Sequence, residues 1–484
     1  MKLISTRDIT NSLTPLEAVL KGIASDGGLY VPAYFPKIDN SFLESLLPLS
    51  YPQLASRVMG QYFDIENLEE LLTEAYSSFD TKKVAPLHKL TDSNFVMELW
   101  HGPTLAFKDM ALQVLPRLMS CARPYAGGKD ILILTATSGD TGKAALDGFA
   151  DVEGTKIVVF FPDEGVSDMQ KLQMVTQKGD NTFVCSVKGN FDDAQTGVKK
   201  LFASEAFAKA AENYRLSSAN SINFGRLAPQ IAYYFHAYIE LARKNVIRIG
   251  DKVNFTVPTG NFGNILAAYY AREMGLPVGR LICASNKNDV LTEFFATGGY
   301  NARREFYKTT SPSMDILISS NLERLLFEIC GRDDKKVASL MRELSEDGYY
   351  EITKEMQEGL SVFAAGSADD EKALSTIKSV FNKYGYLIDT HTAVAEAVYE
   401  NYAVYGDKTP NVVVSTASPY KFVSDVLYAV TGERVEEPFT AAKMLSEKTG
   451  TALPKQISAL ETAEIIHKNT SEKEKLAEAV LGFI

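Results

Sequence analysis

The sequence predicts an α/β protein built on parallel sheet, and three observations predict it. Short β-branched runs recur, each is followed by turn residues and a segment of helical periodicity, and the runs are continuously apolar rather than alternating. Strands of that kind are buried on both faces, as happens when helices cross over a parallel sheet.

Taken in order, residues 1–95 differ from the rest, with helical spacing, prolines at Pro32, Pro36, Pro48 and Pro52, and no strong strand run. They are read as an N-terminal subdomain. Strands follow at ILILTAT (131–137), KIVVFFP (156–162), TFVCSV (182–187), VNFTVPT (253–259), RLICAS (280–285) and NVVVSTA (411–417). The stretch from about 320 to 400 and the last 45 residues carry Glu, Lys, Leu and Ala at helical spacing and read as helical additions. The expected division is an N-terminal subdomain at 1–95, a smaller α/β domain at 96–215 and a larger one at 216–484. In open sheets ligands bind beyond the carboxyl ends of the strands. That rule singles out the loops TSGDTG, GNFGN and STASPYK.

With 484 residues, 45% hydrophobic and 23% charged, the composition is that of a soluble globular protein. The formal charge of -11 is spread without long runs of one sign, which disfavours nucleic acid as a partner. Cys121, Cys185, Cys283 and Cys330 form no CxxC pair, and the five histidines form no HExxH, so no metal is expected. No stretch approaches the ~18 to 20 apolar residues of a membrane span, and the first residues lack a signal-like apolar run. A cytoplasmic location is expected, with no membrane partner.

The chemistry centres on His101-Gly102-Pro103-Thr104-Leu105-Ala106-Phe107-Lys108-Asp109. A lysine removed from water loses its preference for the charged form, and the neutral amine then attacks carbonyls. Lys108 is thus a candidate Schiff-base anchor for pyridoxal 5'-phosphate. Gly260-Asn261-Phe262-Gly263-Asn264 follows a strand and precedes a helix, so its backbone N–H groups can face a phosphate. It is not GxGxxG, and a dinucleotide site is disfavoured. Thr137-Ser138-Gly139-Asp140-Thr141-Gly142-Lys143 resembles a Walker A loop, yet Thr137 and Ala144 stand where glycine and a hydroxyl are required. What remains is a turn suited to holding a substrate carboxylate at a helix N-terminus. Thr416, at the end of the last strand, offers a hydroxyl that can meet a ring nitrogen.

Together HGPTLAFKD, TSGDTG, GNFGN and STASPYKF resemble the threonine synthase family, members of fold type II of the pyridoxal-phosphate enzymes, typified by the tryptophan synthase β subunit. The likeness extends to ASDGGLYVP, VSDMQKLQM, NSINFGR, SPSMDILISSNLERLL and IDTHTAV and covers most of the chain. The long N-terminal subdomain is similar to that of the microbial and fungal branch.

The resemblance implies two open sheets with flanking helices plus the N-terminal subdomain. It implies Lys108 as the Schiff-base lysine, Gly260, Asn261, Phe262, Gly263 and Asn264 as the cofactor's phosphate cup, and Thr416 as the partner of its ring nitrogen. Ser138, Gly139, Asp140 and Thr141 match the loop facing the substrate, whereas Lys143 has no expected role. The implied reaction converts O-phospho-L-homoserine and water to L-threonine and phosphate. A phospho-lyase that stops at elimination, a serine or threonine dehydratase and a non-catalytic cofactor-binding protein are the alternatives. The substrate phosphate needs a second anion site, for which Ser319-Ser320-Asn321 with Arg324, Asn220-Ser221-Asn223 with Arg226, Lys171 and Lys188 are candidates. Monomer and homodimer are both compatible with the sequence.

Overall fold

The computed structural model describes residues 1–137, 139–163, 166 and 168–484. Two sheets organise it. The larger has six strands in the order Phe363–Ser367, Val278–Ser285, Val253–Pro258, Asn411–Ser415, Asn94–Glu98 and Leu87–Lys89. All pairs are parallel except the last, where Leu87–Lys89 runs antiparallel at the edge. The smaller has five parallel strands in the order Asn469–Ser471, Thr182–Val187, Thr155–Pro162, Asp130–Ala136 and Tyr214–Ser217.

All six strands expected from the apolar runs are present, within two residues at either end. The sheets also recruit segments that the runs did not announce. Phe363–Ser367, reading FAAGS, forms an edge of the larger sheet inside the stretch expected to be helical. The tail adds Asn469–Ser471 to the smaller sheet, and Leu476 and Val480 pack into that sheet's core. Asn94–Glu98 belongs to the larger sheet. The sheets therefore cut across the divisions at 95/96 and 215/216.

The N-terminal subdomain has a small antiparallel sheet, Ser12–Leu13, Leu3–Ser5 and Tyr30–Pro32, too short to leave a period-2 signature. Its helices pack on Phe224–Arg243, whose residues from Phe224 to Leu241 are all buried. Tyr51 meets the His236 ring edge-on at 5.0 Å, and Arg243 Nε donates to Leu47 O at 2.8 Å. This 20-residue helix links the two sheets and fixes where its first turn, with Arg226, lies. Among the described residues no helix is long and apolar enough to cross a membrane, and no cluster of His, Cys, Asp and Glu could hold a metal ion.

Candidate active site

The HGPTLAFKD and STASPYK segments are zipped together. Phe107 N–H donates to Thr416 O at 2.8 Å, Ser418 N–H donates to Leu105 O at 3.0 Å, and Ala106 bridges Ala417. Leu105 is held at φ 60°, a left-handed conformation that a bulky residue adopts only under constraint. The Asp109 carboxyl, fully buried, accepts from Thr104 N–H at 2.8 Å and Thr104 Oγ1 at 2.6 Å, and burial pushes it up to about 7. These constraints aim Lys108, the residue before the short helix Asp109–Leu112, into a narrow cavity also lined by Asp140, Ser313, His391 and Thr416.

Burial pushes the Lys108 amine below its usual range, aided by the nearby charges of Lys421 and Arg226 and opposed by Asp140. Lys108 Nζ lies 3.6 Å from Asp140 Oδ2, and Lys421 Nζ lies 3.1 Å from Asp140 Oδ1. Burial would raise the Asp140 carboxyl, but Lys421 and Lys108 outweigh it and hold it well below the usual carboxylate range. Gln170 Nε2 adds a bond at 3.0 Å and Ser313 Oγ one at 3.4 Å, while Lys421 also donates to Thr104 O at 2.8 Å.

Asp140 opens the helix Asp140–Phe149. Its side chain carries the same charge as a carboxylate and repels one, whereas backbone N–H groups at a helix N-terminus attract one. The N–H groups of Asp140 and Thr141 have no acceptor among the described residues, whereas that of Gly139 is taken by Thr137 Oγ1 at 3.1 Å. Gly139 has φ 149°, and a Cβ there would lie 2.6 Å from Gln170. Ser138 lies outside the described residues. Lys143 pairs with Asp147 at 3.5 Å and bonds Gln177, and it does not line the cavity.

The cup is built between the strand Val253–Pro258 and the helix Gly263–Met274. Phe262 turns the chain at φ 62° and buries its ring against Phe295 and Phe363. The N–H groups of residues 260–264 have no acceptor among the described residues, and the helix N-terminus lies behind them. The carbonyls are instead tied back, Gly260 O by Ser319 Oγ at 2.7 Å and Asn261 O by Asn321 N and Nδ2 at 3.1 and 2.9 Å. Asn264 Oδ1 accepts from Tyr233 and Tyr234 at 2.5 and 2.6 Å, and its buried Nδ2 has no partner among the described residues. Five free donors at a helix N-terminus suit the phosphate of pyridoxal phosphate. Thr416 is buried at the cavity, and its hydroxyl has no partner among the described residues, as a contact to the ring nitrogen requires.

Lys421, Ser313 and His391 were not singled out by sequence reasoning, although each lies in a segment that carried the resemblance. His391 Nδ1–H donates to Asp389 Oδ2 at 2.8 Å, which leaves Nε2 to accept from Ser313 N–H at 3.1 Å. Of the second-anion candidates, Lys188 pairs on the surface with Glu472, Lys171 is exposed, and Arg324 lies behind the cup. Arg226 is buried near Lys108, with Nη1 on Ala219 O at 2.8 Å and Nε unpartnered among the described residues.

This cavity and fold define the class. Residues 82–368 match the family model described as pyridoxal-phosphate dependent enzyme, and residues 2–76 match threonine synthase N terminus. The chain is a pyridoxal-phosphate-dependent enzyme of fold type II, the tryptophan synthase β-like fold. It is 39% identical to threonine synthase of Pseudomonas aeruginosa over 97% of this chain and 99% of that one. The crystal structure of pyridoxal-phosphate-bound threonine synthase from Brucella melitensis superposes with a TM-score of 0.90 at 38% identity, covering 100% of this chain and 99% of that chain. The chain belongs to the threonine synthase family. It is also 40% identical, over 87% of its length, to human threonine synthase-like 1, and spans 58% of that longer protein.

Proposed function

We propose that this protein converts O-phospho-L-homoserine and water to L-threonine and inorganic phosphate. The observation that carries the reading is the charge of the cavity. Lys108 and Lys421 flank the Asp140 carboxylate at 3.6 and 3.1 Å, and Arg226 adds a further positive charge near Lys108, beside a cup already equipped for one phosphate. A second phosphate, on the substrate, balances it. Arg226 is the residue to grip it, because its buried guanidinium bonds the neutral Ala219 O through Nη1 and leaves Nε without a partner among the described residues.

When bound, pyridoxal phosphate supplies a conjugated ring that stores the electron pair left at Cα. Lys108 would hold the cofactor through its amine and, with substrate bound, would take and return protons at Cα and Cβ. Asp140 and Lys421 keep its amine oriented. Thr416 would offer the ring nitrogen a neutral hydroxyl rather than a carboxylate. The backbone N–H groups of Asp140 and Thr141 receive the substrate carboxylate. Gly260 to Asn264 hold the cofactor phosphate. The same proposal includes a small-molecule substrate, no nucleic-acid or membrane partner, a cytosolic setting and a monomer or homodimer; the four free cysteines support the setting.

The test is kcat/KM for O-phospho-L-homoserine against L-serine, L-threonine and O-acetyl-L-serine, in the wild type and in Arg226→Met. The phosphorylated substrate is expected to be preferred. Truncating one member of a buried charge pair costs about 2 kcal/mol or more, so Arg226→Met raises KM for that substrate at least about 30-fold. Preference for an unphosphorylated substrate overturns the reading.

A further inference from the structure

Arg324 is fully buried in the first turn of the helix Leu322–Ile329, where the helix dipole disfavours a cation. Its donors reach only neutral oxygens. Nε bonds Tyr30 O at 2.9 Å, Nη2 bonds Ile222 O at 2.6 Å, and Nη1 bonds Asn321 Oδ1. No carboxylate pairs with it among the described residues. Neighbouring Glu323 is occupied by Arg7 at 2.8 Å and Thr6 at 2.6 Å. An uncompensated buried charge is costly and persists where an anion completes it.

The cup has the opposite deficit. Five backbone N–H groups await an anion, and a phosphate dianion there meets no cation in the loop itself. One side chain joins the two. Asn321 accepts from Arg324 at Oδ1, which turns Nδ2 to Asn261 O at 2.9 Å. With that carbonyl pinned behind the loop, the N–H groups face forward.

We infer that Arg324 is a positioning residue for the cofactor's phosphate, orienting the cup through Asn321 and supplying the charge that compensates the dianion. The inference rests on the assignment of that phosphate to Gly260–Asn264. Burial pulls the Arg324 guanidinium down from its usual range, and the neighbouring Glu323 only partly opposes this.

The test compares apoprotein affinities for pyridoxal 5'-phosphate and pyridoxal, whose ratio isolates the phosphate from Lys108 chemistry. In Arg324→Gln the ratio is expected to fall at least about tenfold with pyridoxal binding unchanged. An unchanged ratio, or an equal loss for both compounds, overturns the inference. Arg324→Lys supplies a second measurement even where the glutamine variant fails to fold. A buried lysine there titrates well below arginine, so its ratio falls as pH rises from about 7 to 9 while the wild-type ratio stays flat. A flat ratio in Arg324→Lys overturns the inference equally. Wild-type protein that binds both compounds alike refutes the cup assignment instead.

Discussion

Asp140→Asn isolates the electrostatic control of Lys108. The amine lies 3.6 Å from the Asp140 carboxylate, and Lys421 lies 3.1 Å from it on the other oxygen. Two unit charges about 4 Å apart interact by about 4 kcal/mol at an effective dielectric near 20. At about 1.4 kcal/mol per pH unit, loss of the carboxylate lowers the amine's pKa by at most about 3 units. Relaxation of the site and the dipole of the new amide return part of this, so a displacement of at least about one unit is expected. Lys421, no longer compensated, acts in the same direction. The assay is the rate at which apoprotein attaches pyridoxal 5'-phosphate covalently, measured against pH, because the rate follows the unprotonated amine. The midpoint in Asp140→Asn moves to lower pH. An unmoved midpoint, or one moved upward, refutes the pairing as the control on Lys108.

Lys108→Ala abolishes covalent attachment and lowers turnover by about 10² to 10⁴, read from the cofactor spectrum and product formation; an intact bound-cofactor spectrum contradicts the assignment. Gly260→Ala places a Cβ 2.7 Å from Ser313 O. Overpacking of this kind costs about 1 to 3 kcal/mol, so cofactor affinity falls roughly tenfold in a fluorescence titration, and unchanged affinity counts against the cup. His101 lies between Glu98 and Asp80 at 2.7 and 2.6 Å, and although burial opposes it these carboxylates raise its pKa. A raised pKa in the folded state gives stability that is full below the unfolded value of about 6.5 and lost as pH rises through the folded one. The stability difference between wild type and His101→Gln in urea therefore shrinks from pH ~6 to pH ~9, and a constant difference contradicts the pairing.

The parts of the fold legible in the sequence were those with a local signature. Runs such as ILILTA and KIVVFFP carry their strand propensity in every residue, and they appear as Asp130–Ala136 and Thr155–Pro162. FAAGS has Ala, Gly and Ser where β-branched residues signal a strand, and becomes one by pairing with Val278–Ser285. Asn469–Ser471 is three residues long and is defined by its register on Thr182–Val187. The site divides in the same way. Lys108, the Gly260–Asn264 loop and Thr416 lie in contiguous motifs and meet at one cavity wall or its neighbouring cup. Lys421 and Ser313 reach Asp140 only through the packing of the two sheets, which no local pattern encodes. Arg324, read from its run of hydroxyls and amides as a candidate for the substrate phosphate, bonds Asn321 behind the cup.

The central claim is tested most directly by incubating the cofactor-loaded protein with O-phospho-L-homoserine and quantifying inorganic phosphate and L-threonine in the same sample. The account predicts release of the two in equal amounts. Phosphate accompanied by 2-oxobutyrate would identify a phospho-lyase that stops at elimination, and release of neither product would contradict the account altogether.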